Sequence, residues 1–299
     1  MDTKAQVQEF LTTRRAKLTP REAGLPEMGG QRRVAGLRRE EVAMLSGVSV
    51  DYYVRLERGN LSGVSESVLE ALSRALQLDE AEHAHLLDLA HAANASPAAR
   101  RRTPANRVRP PIQRLLDSMS APAVVRNGRS DLLATNTLGR ALYAPMFIDP
   151  AGTPNSARFT FLDPRSKDFY PDWDRLASDL VASLRGEAGR RPYDKRLTDL
   201  IGELSTRSED FRIRWAAHDV HSHRTGKKRI HHPIVGDVEL TFESMDLTAD
   251  EGLSLVAYGT EPGSASEQAI ALLASWAATQ EQTRQTVRRP LRWERRGSV

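Results

Sequence analysis

The residues whose types and spacing best suit a defined chemistry lie between Leu37 and Gly59, in LRREEVAMLSGVSVDYYVRLERG. If the second half of this run is helical, Tyr53 and Leu56 share an inward face. Ser49, Val50, Asp51, Tyr52 and Arg55 then occupy exposed positions on the first turn and the next. The chemistry this offers is the reading of base edges. An arginine at position 55 can donate two parallel hydrogen bonds to guanine. Asp51 can accept one from the amino group of cytosine, or simply stabilise the start of the helix. Arg38 and Arg39 stand where a preceding helix would cross a phosphate backbone, and Arg58 follows the reading face. Phosphate contacts from such residues position a protein on DNA without reading sequence. Arg32 and Arg33, just upstream, suit either phosphate contact or plain solvation.

Two short helices around a tight turn are needed to position these groups. Arg38 to Leu45 carries apolar Val42 and Leu45 with a small Ala43 between them, and Gly47 then breaks the pattern with a residue suited to a left-handed turn. Ser49 is a good N-cap for the next helix, which stops at Gly59. This is the spacing of a helix-turn-helix, whose second helix fits the major groove. An ordinary helical hairpin has similar spacing, and the paired arginines favour the DNA-binding form. The run resembles the recognition helix and cap of Xre (Cro/repressor-type) regulators. That resemblance implies a structural role for Glu57, so no base contact is assigned to it.

Length predicts about two domains. With 39% apolar residues and a mean hydropathy of −0.49, the chain is expected to be soluble with a real core. No apolar run approaches the ~20 residues of a membrane span, and MDTKAQVQEF lacks the layout of a signal peptide. Cysteine is absent, which excludes disulfides, thiolate metal sites and cysteine nucleophiles and fits a cytoplasmic, nucleoid-associated protein. The net charge of +4 is uneven: residues 1–110 hold 17 Lys/Arg against 14 Asp/Glu, 280–299 hold 6 against 2, and 111–279 hold 20 against 23. Basic ends and a slightly acidic middle suit nucleic-acid contact from the ends.

Periodicity predicts a first helix over Gln6–Arg15, a Gly/Pro-rich loop over 19–36, and two further helices capped by Ser65 and Asp79. Five helices then close a domain over residues 1–95. On the last of them Leu86, Leu87 and Ala90 are expected inward, with His83, His85 and His91 as surface decoration. Residues 96–110, rich in Pro, Ala and Arg, read as a linker whose Arg100 to Arg102 suit phosphate contact or mere solubility. A second domain is expected over 111–280. It begins with a helix (Ile112, Leu115, Leu116, Met119) and strands Ala123–Arg126 and Asp131–Ala134 around an Asn127-Gly128 turn. Helices over Thr137–Tyr143, Asp172–Leu184 and Lys195–Thr206 follow. From Phe211 the pattern turns to strands, with a turn at Gly236-Asp237, before a closing helix over Ser266–Thr279. This is an α+β module with one sheet. Residues 281–299, with six arginines, read as a disordered basic tail.

Taken together, GLRREEVAMLSGVSVDYYVRLERG, RPPIQRLLDSM, APAVVRNGRSDLLATN and HHPIVGDVELTFESM resemble the MmyB-like actinobacterial regulators over roughly residues 8–280. The resemblance implies an α-helical Xre-type helix-turn-helix domain joined to an α+β PAS-like ligand-binding domain, with fatty-acid-like ligands as the family's known direction. Trp173, Trp215, Phe242 and Tyr258 are expected in the second core and, where a cavity exists, along its lining.

Other chemistries find less support. His221-Ser222-His223 on a strand would put two imidazoles on one face, beside His218, His231 and His232, but the basic stretch Arg224–Arg229 suggests a polar turn rather than a metal site. No G-x-S-x-G, P-loop or G-x-G-x-x-G is present, so no catalytic residue or cofactor is assigned. The expected partners are double-stranded DNA, a second copy of the chain and a small apolar or amphipathic effector. The rival is a protein-interaction adaptor or anti-repressor whose helix-turn-helix no longer binds DNA. Asp51 and Glu57 against Arg55 and Arg58 leave the two undecided by charge.

Overall fold

A computed structural model describes residues 3–26, 34–95, 107–148, 152–217 and 225–288. The first domain consists of α1 (Thr3–Lys17), α2 (Arg39–Ser46), α3 (Val50–Glu57), α4 (Glu66–Ala75) and α5 (Glu80–Ala93). Gly47 ends α2 in the left-handed region at φ 68°, which costs glycine nothing, and the Ser49 hydroxyl caps α3 by accepting the Tyr52 N–H at 3.1 Å. Asp79 caps α5, accepting the Glu82 N–H at 2.8 Å. Ser65 sits at the N-cap of α4 but bonds Ser67 Oγ at 2.9 Å instead. Val7, Phe10, Leu11, Val42, Tyr53, Leu56, Leu72 and Leu86 fill one core.

Buried ion pairs tie these helices together. Glu57, its side chain 2% exposed, accepts from Arg15 Nε at 2.6 Å and from Arg39 Nε, and the Tyr53 hydroxyl lies 3.4 Å away. Burial, then the adjacent Glu57 charge, pushes the Tyr53 phenol up from its ordinary value. Arg14 pairs with Glu82 between α1 and α5. The basic end of α1 therefore makes tertiary ion pairs, beyond any favourable placement against the helix dipole.

The second domain opens with α6 (Pro110–Ser118), β1 (Ala123–Asn127) and β2 (Leu132–Thr135). Next come α7 (Thr137–Leu142), a 3₁₀ turn over Ala144–Phe147, α8 (Ser156–Leu162), α9 (Ser166–Phe169), α10 (Trp173–Arg190), α11 (Lys195–Arg207) and α12 (Glu209–Ala216). The chain then runs through β3 (Thr225–His232), β4 (Gly236–Asp246), β5 (Leu253–Gly259) and α13 (Ala265–Arg288). The strands form one antiparallel sheet in the order β2-β1-β5-β4-β3. Registers Arg126↔Ser254, Phe242↔Tyr258 and Lys228↔Leu240 place alternate residues on an inner face. That face shares a core with Leu142, Phe169, Ala177, Leu184 and Leu273 of the covering helices. On the other face Ala123, Val125, Leu253 and Leu255 pack against Leu116 of α6.

Several expectations are corrected. Residues 211–216 are helical, not strand: Ser208 Oγ accepts the Phe211 N–H at 3.2 Å and caps α12. The basic stretch 225–229 is the start of β3, not a turn, and the β3–β4 connection is Pro233–Val235. The first hairpin turns over Asn127–Asp131, with Ser130 rather than Gly128 in the left-handed region at φ 65°. The closing helix runs to Arg288, so residues 281–288 of the expected tail are helical. The rest of that tail, the 96–106 part of the linker, Arg32 and Arg33, and His218 to His223 lie outside the described residues. No helix among the described residues is long and apolar enough to cross a membrane.

Candidate DNA-reading surface and ligand cleft

On α3, Ser49, Val50, Asp51 and Arg55 are exposed and Tyr52 is half-buried against the core, whereas Tyr53 and Leu56 are fully buried. Arg38 and Arg58 flank this surface and are also exposed. Among the described residues no ion pair engages Arg38, Arg55 or Arg58, so these three exposed arginines are free cations. Arg39 differs. Its Nε pairs with Glu57, so it serves the fold while half of its side chain stays in solvent. The Ser49 hydroxyl is likewise occupied as the cap.

In the second domain a cleft of about 1170 Å³ runs between the inner sheet face and α10. Leu176, Leu180, Phe242 and Val256 give it apolar walls. One part of it holds a cation in an aromatic cage. The Lys228 ammonium lies 5.7, 5.6 and 5.8 Å from the ring centroids of Tyr143, Tyr170 and Tyr258. Its Nζ donates to Tyr143 Oη at 3.3 Å, and Tyr143 donates to Tyr258 Oη at 2.7 Å. Loss of water pulls the lysine down to about 7, helped by the nearby Arg126 charge, opposed by Asp179, and lowered a little further by Arg175. Burial also pushes the phenols of Tyr143, Tyr170 and Tyr258 up, so all three stay neutral. Arg126, half-buried on β1, makes no ion pair among the described residues. This end of the cleft thus gathers two basic groups that no carboxylate among the described residues contacts directly.

Of the four aromatic residues expected to line a cavity, Phe242 and Tyr258 do. Trp173 and Trp215 do not. Trp173 is 7% exposed, and its Nε1 donates to Thr160 O at 3.1 Å. Trp215 stacks on Phe211 at 5.5 Å beneath the Arg185 guanidinium. Both fill core volume away from the cleft. Sequence reasoning missed Lys228, although Ile230 pointing inward on a strand implies that 228 and 232 do too. The histidines also sort out: His231 is exposed and hydrogen-bonds Asp237 at 2.6 Å, and buried His232 donates from Nε2 to Ala141 O at 3.1 Å. Burial lowers the His232 pKa. Among the described residues no three His, Asp or Glu side chains group as metal ligands. His85, expected on the surface, is 4% exposed and packs edge-on to Phe10 at 5.1 Å.

A helix-turn-helix with exposed arginines, joined to an α+β domain that carries a ligand-sized cleft, defines the class of ligand-sensing transcription regulators. Family comparison agrees. Residues 108–273 match the MmyB-like transcription regulator ligand binding domain, and residues 11–86 match a helix-turn-helix domain. The chain belongs to the MmyB-like helix-turn-helix transcription regulators. No curated protein matches it.

Proposed function

We propose that this chain is a sequence-specific DNA-binding regulator that acts as a homodimer and senses a small amphipathic, fatty-acid-like effector in its second domain. Ser49, Val50, Asp51, Tyr52 and Arg55 read bases. Arg38 and Arg58, with the exposed part of Arg39 and with Arg32 and Arg33, neutralise phosphates. The observation that carries the effector reading is the cleft itself: apolar side chains lead to Lys228 and Arg126, two basic side chains that no carboxylate contacts among the described residues. Burying a charge without a partner is costly, and an acidic head group supplies that partner while its chain covers the apolar wall.

Full-length protein titrated calorimetrically with straight-chain fatty acids and the matching alcohols tests this. Acids are expected to bind at one site per chain, alcohols at least ~10-fold more weakly, and Lys228→Met to remove the difference. Equal binding of acids and alcohols, or of neither, overturns it. DNA binding is tested by gel shift on the promoter upstream of the chain's own gene. A protein that retards no DNA but captures a protein partner would be the adaptor instead.

A further inference from the structure

The cleft does not end within the second domain. Ala81, Ala84, His85, Asp88, His91 and Ala92 also border it, all from α5 of the helix-turn-helix domain. Their spacing of three and four residues puts them on one stripe of the helix. Two features seat α5 on α10 at this point. The His85 ring lies against the Gly189 backbone so closely that a β-carbon there would fall on its Cε1 and Nδ1. Asp88 meets Arg190 Nη1 at 4.0 Å, and Arg190 donates to Glu187 at 3.0 Å. Glu187 in turn pairs with Arg191 Nε at 3.2 Å, and Arg191 reaches Glu251 beyond β4 at 3.4 Å. Loss of water raises the Asp88 pKa, as a carboxylate partly enclosed between two domains requires.

We infer that α5 is a wall of the effector site, so that the site is shared between the domains and its occupant presses directly on the DNA-binding module. This rests on the effector reading above and adds the route by which the effector acts. The route is short. α5 is held to α1 by Arg14–Glu82 and by Phe10 against His85, and α1 is held to α3 by Arg15–Glu57. A ligand whose tail lies against the alanines of α5 therefore changes the seating of the helix that, two packed contacts later, carries Arg55. By linkage, DNA and effector alter each other's affinity by the same factor.

The test uses full-length protein with laurate as the probe. Ala84, exposed on the cleft side of α5, is replaced by tryptophan to fill that end. Glu80→Trp, on the same helix but off the cleft, is the control. Laurate affinity is expected to fall at least ~10-fold in Ala84→Trp and to stay within about twofold of wild type in Glu80→Trp. Amide exchange in the unaltered protein gives an independent measurement. Laurate is expected to protect residues 80–93 together with 225–232 and 253–259. If laurate protects the strands but leaves 80–93 unchanged, and Ala84→Trp binds it normally, the shared site is overturned. If neither laurate nor any other straight-chain acid protects any of these segments, the effector reading itself has failed.

Discussion

Lys228 is the residue at which cost and purpose meet. A lysine whose native pKa lies near 7, against an ordinary 10.5, takes up a proton more readily when the chain unfolds. Between those two pH values the unfolded state binds more protons, so native stability should rise with pH across that window. Below about pH 7 the charged lysine is carried at full cost, on the order of a few kcal/mol. Lys228→Met should therefore be more stable than wild type at mildly acidic pH and should lose the upward slope. Urea melts of both proteins across the window check this; an unchanged slope in the variant would mean the cage hydrates the ammonium after all. A bound carboxylate favours the charged lysine, so fatty-acid affinity should fall as pH rises above about 7. The groups facing Lys228 are Arg126, Arg175 and Asp179, and of these only Asp179 favours the charged form. On the DNA side, Arg55→Ala should cost ~1–3 kcal/mol on the specific site and little on random DNA. Arg38→Ala should weaken both alike and flatten the salt dependence by about one unit of slope. Equal losses in the first case, or an unchanged slope in the second, would reverse the two assignments. Arg39→Ala should behave differently from Arg38→Ala, lowering the melting temperature as well, because it leaves Glu57 buried with only Arg15.

At the scale of elements, the tryptophans and the residues that border the cleft share the inner-face core but do different work in it. Trp173, the first residue of α10, is locked against α8, with Phe161 at 6.0 Å and its indole N–H satisfied, so Trp173→Ala should cost about 3–5 kcal/mol of stability. Phe242 is half-buried on β4 with one side open to the cleft, so Phe242→Ala should cost less stability and more fatty-acid affinity. Denaturant melts paired with calorimetry decide it; the reverse pattern would move the effector site to the side of Trp173 that faces α8. In the helix-turn-helix, the Ser49 cap is a separable contribution. Ser49→Ala should lose ~1 kcal/mol through the Tyr52 N–H left without its partner.

For the whole molecule, one recognition helix reads only a few base pairs, too little to select a site in a genome, so two copies on an inverted repeat are expected. Helix α13 buries Ala269, Leu273 and Ala277 against the second core but leaves Leu272 66% and Trp276 36% exposed, one turn apart. That outer stripe is the expected contact between copies. Light scattering should give twice the chain mass free and on DNA, and the double variant Leu272→Glu, Trp276→Glu should give a monomer that still melts cooperatively. A wild type that saturates its operator as one chain per site rules the dimer out.

Local pattern carried much of this by itself. The helix-turn-helix, its glycine turn and its serine cap were legible because capping and left-handed turns depend on residues only a few positions apart. The order of helices and strands was largely legible for the same reason. Where two local signals compete, it misled: FRIRW alternates like a strand, but Ser208 with Glu209 and Asp210 starts a helix there, and among its residues only Phe211 is fully buried. The stretch Arg224–Arg229 reads as a basic turn because its charges hide the inward parity that Lys228 shares with Ile230 and His232. Only tertiary structure could decide that Glu57 takes both Arg15 and Arg39, that Trp173 is core while Tyr258 borders the cleft, and that α5 reaches the same cleft. Those choices join positions separated by tens of residues, and pairing at that distance depends on which surfaces chain packing brings together, which no local period records.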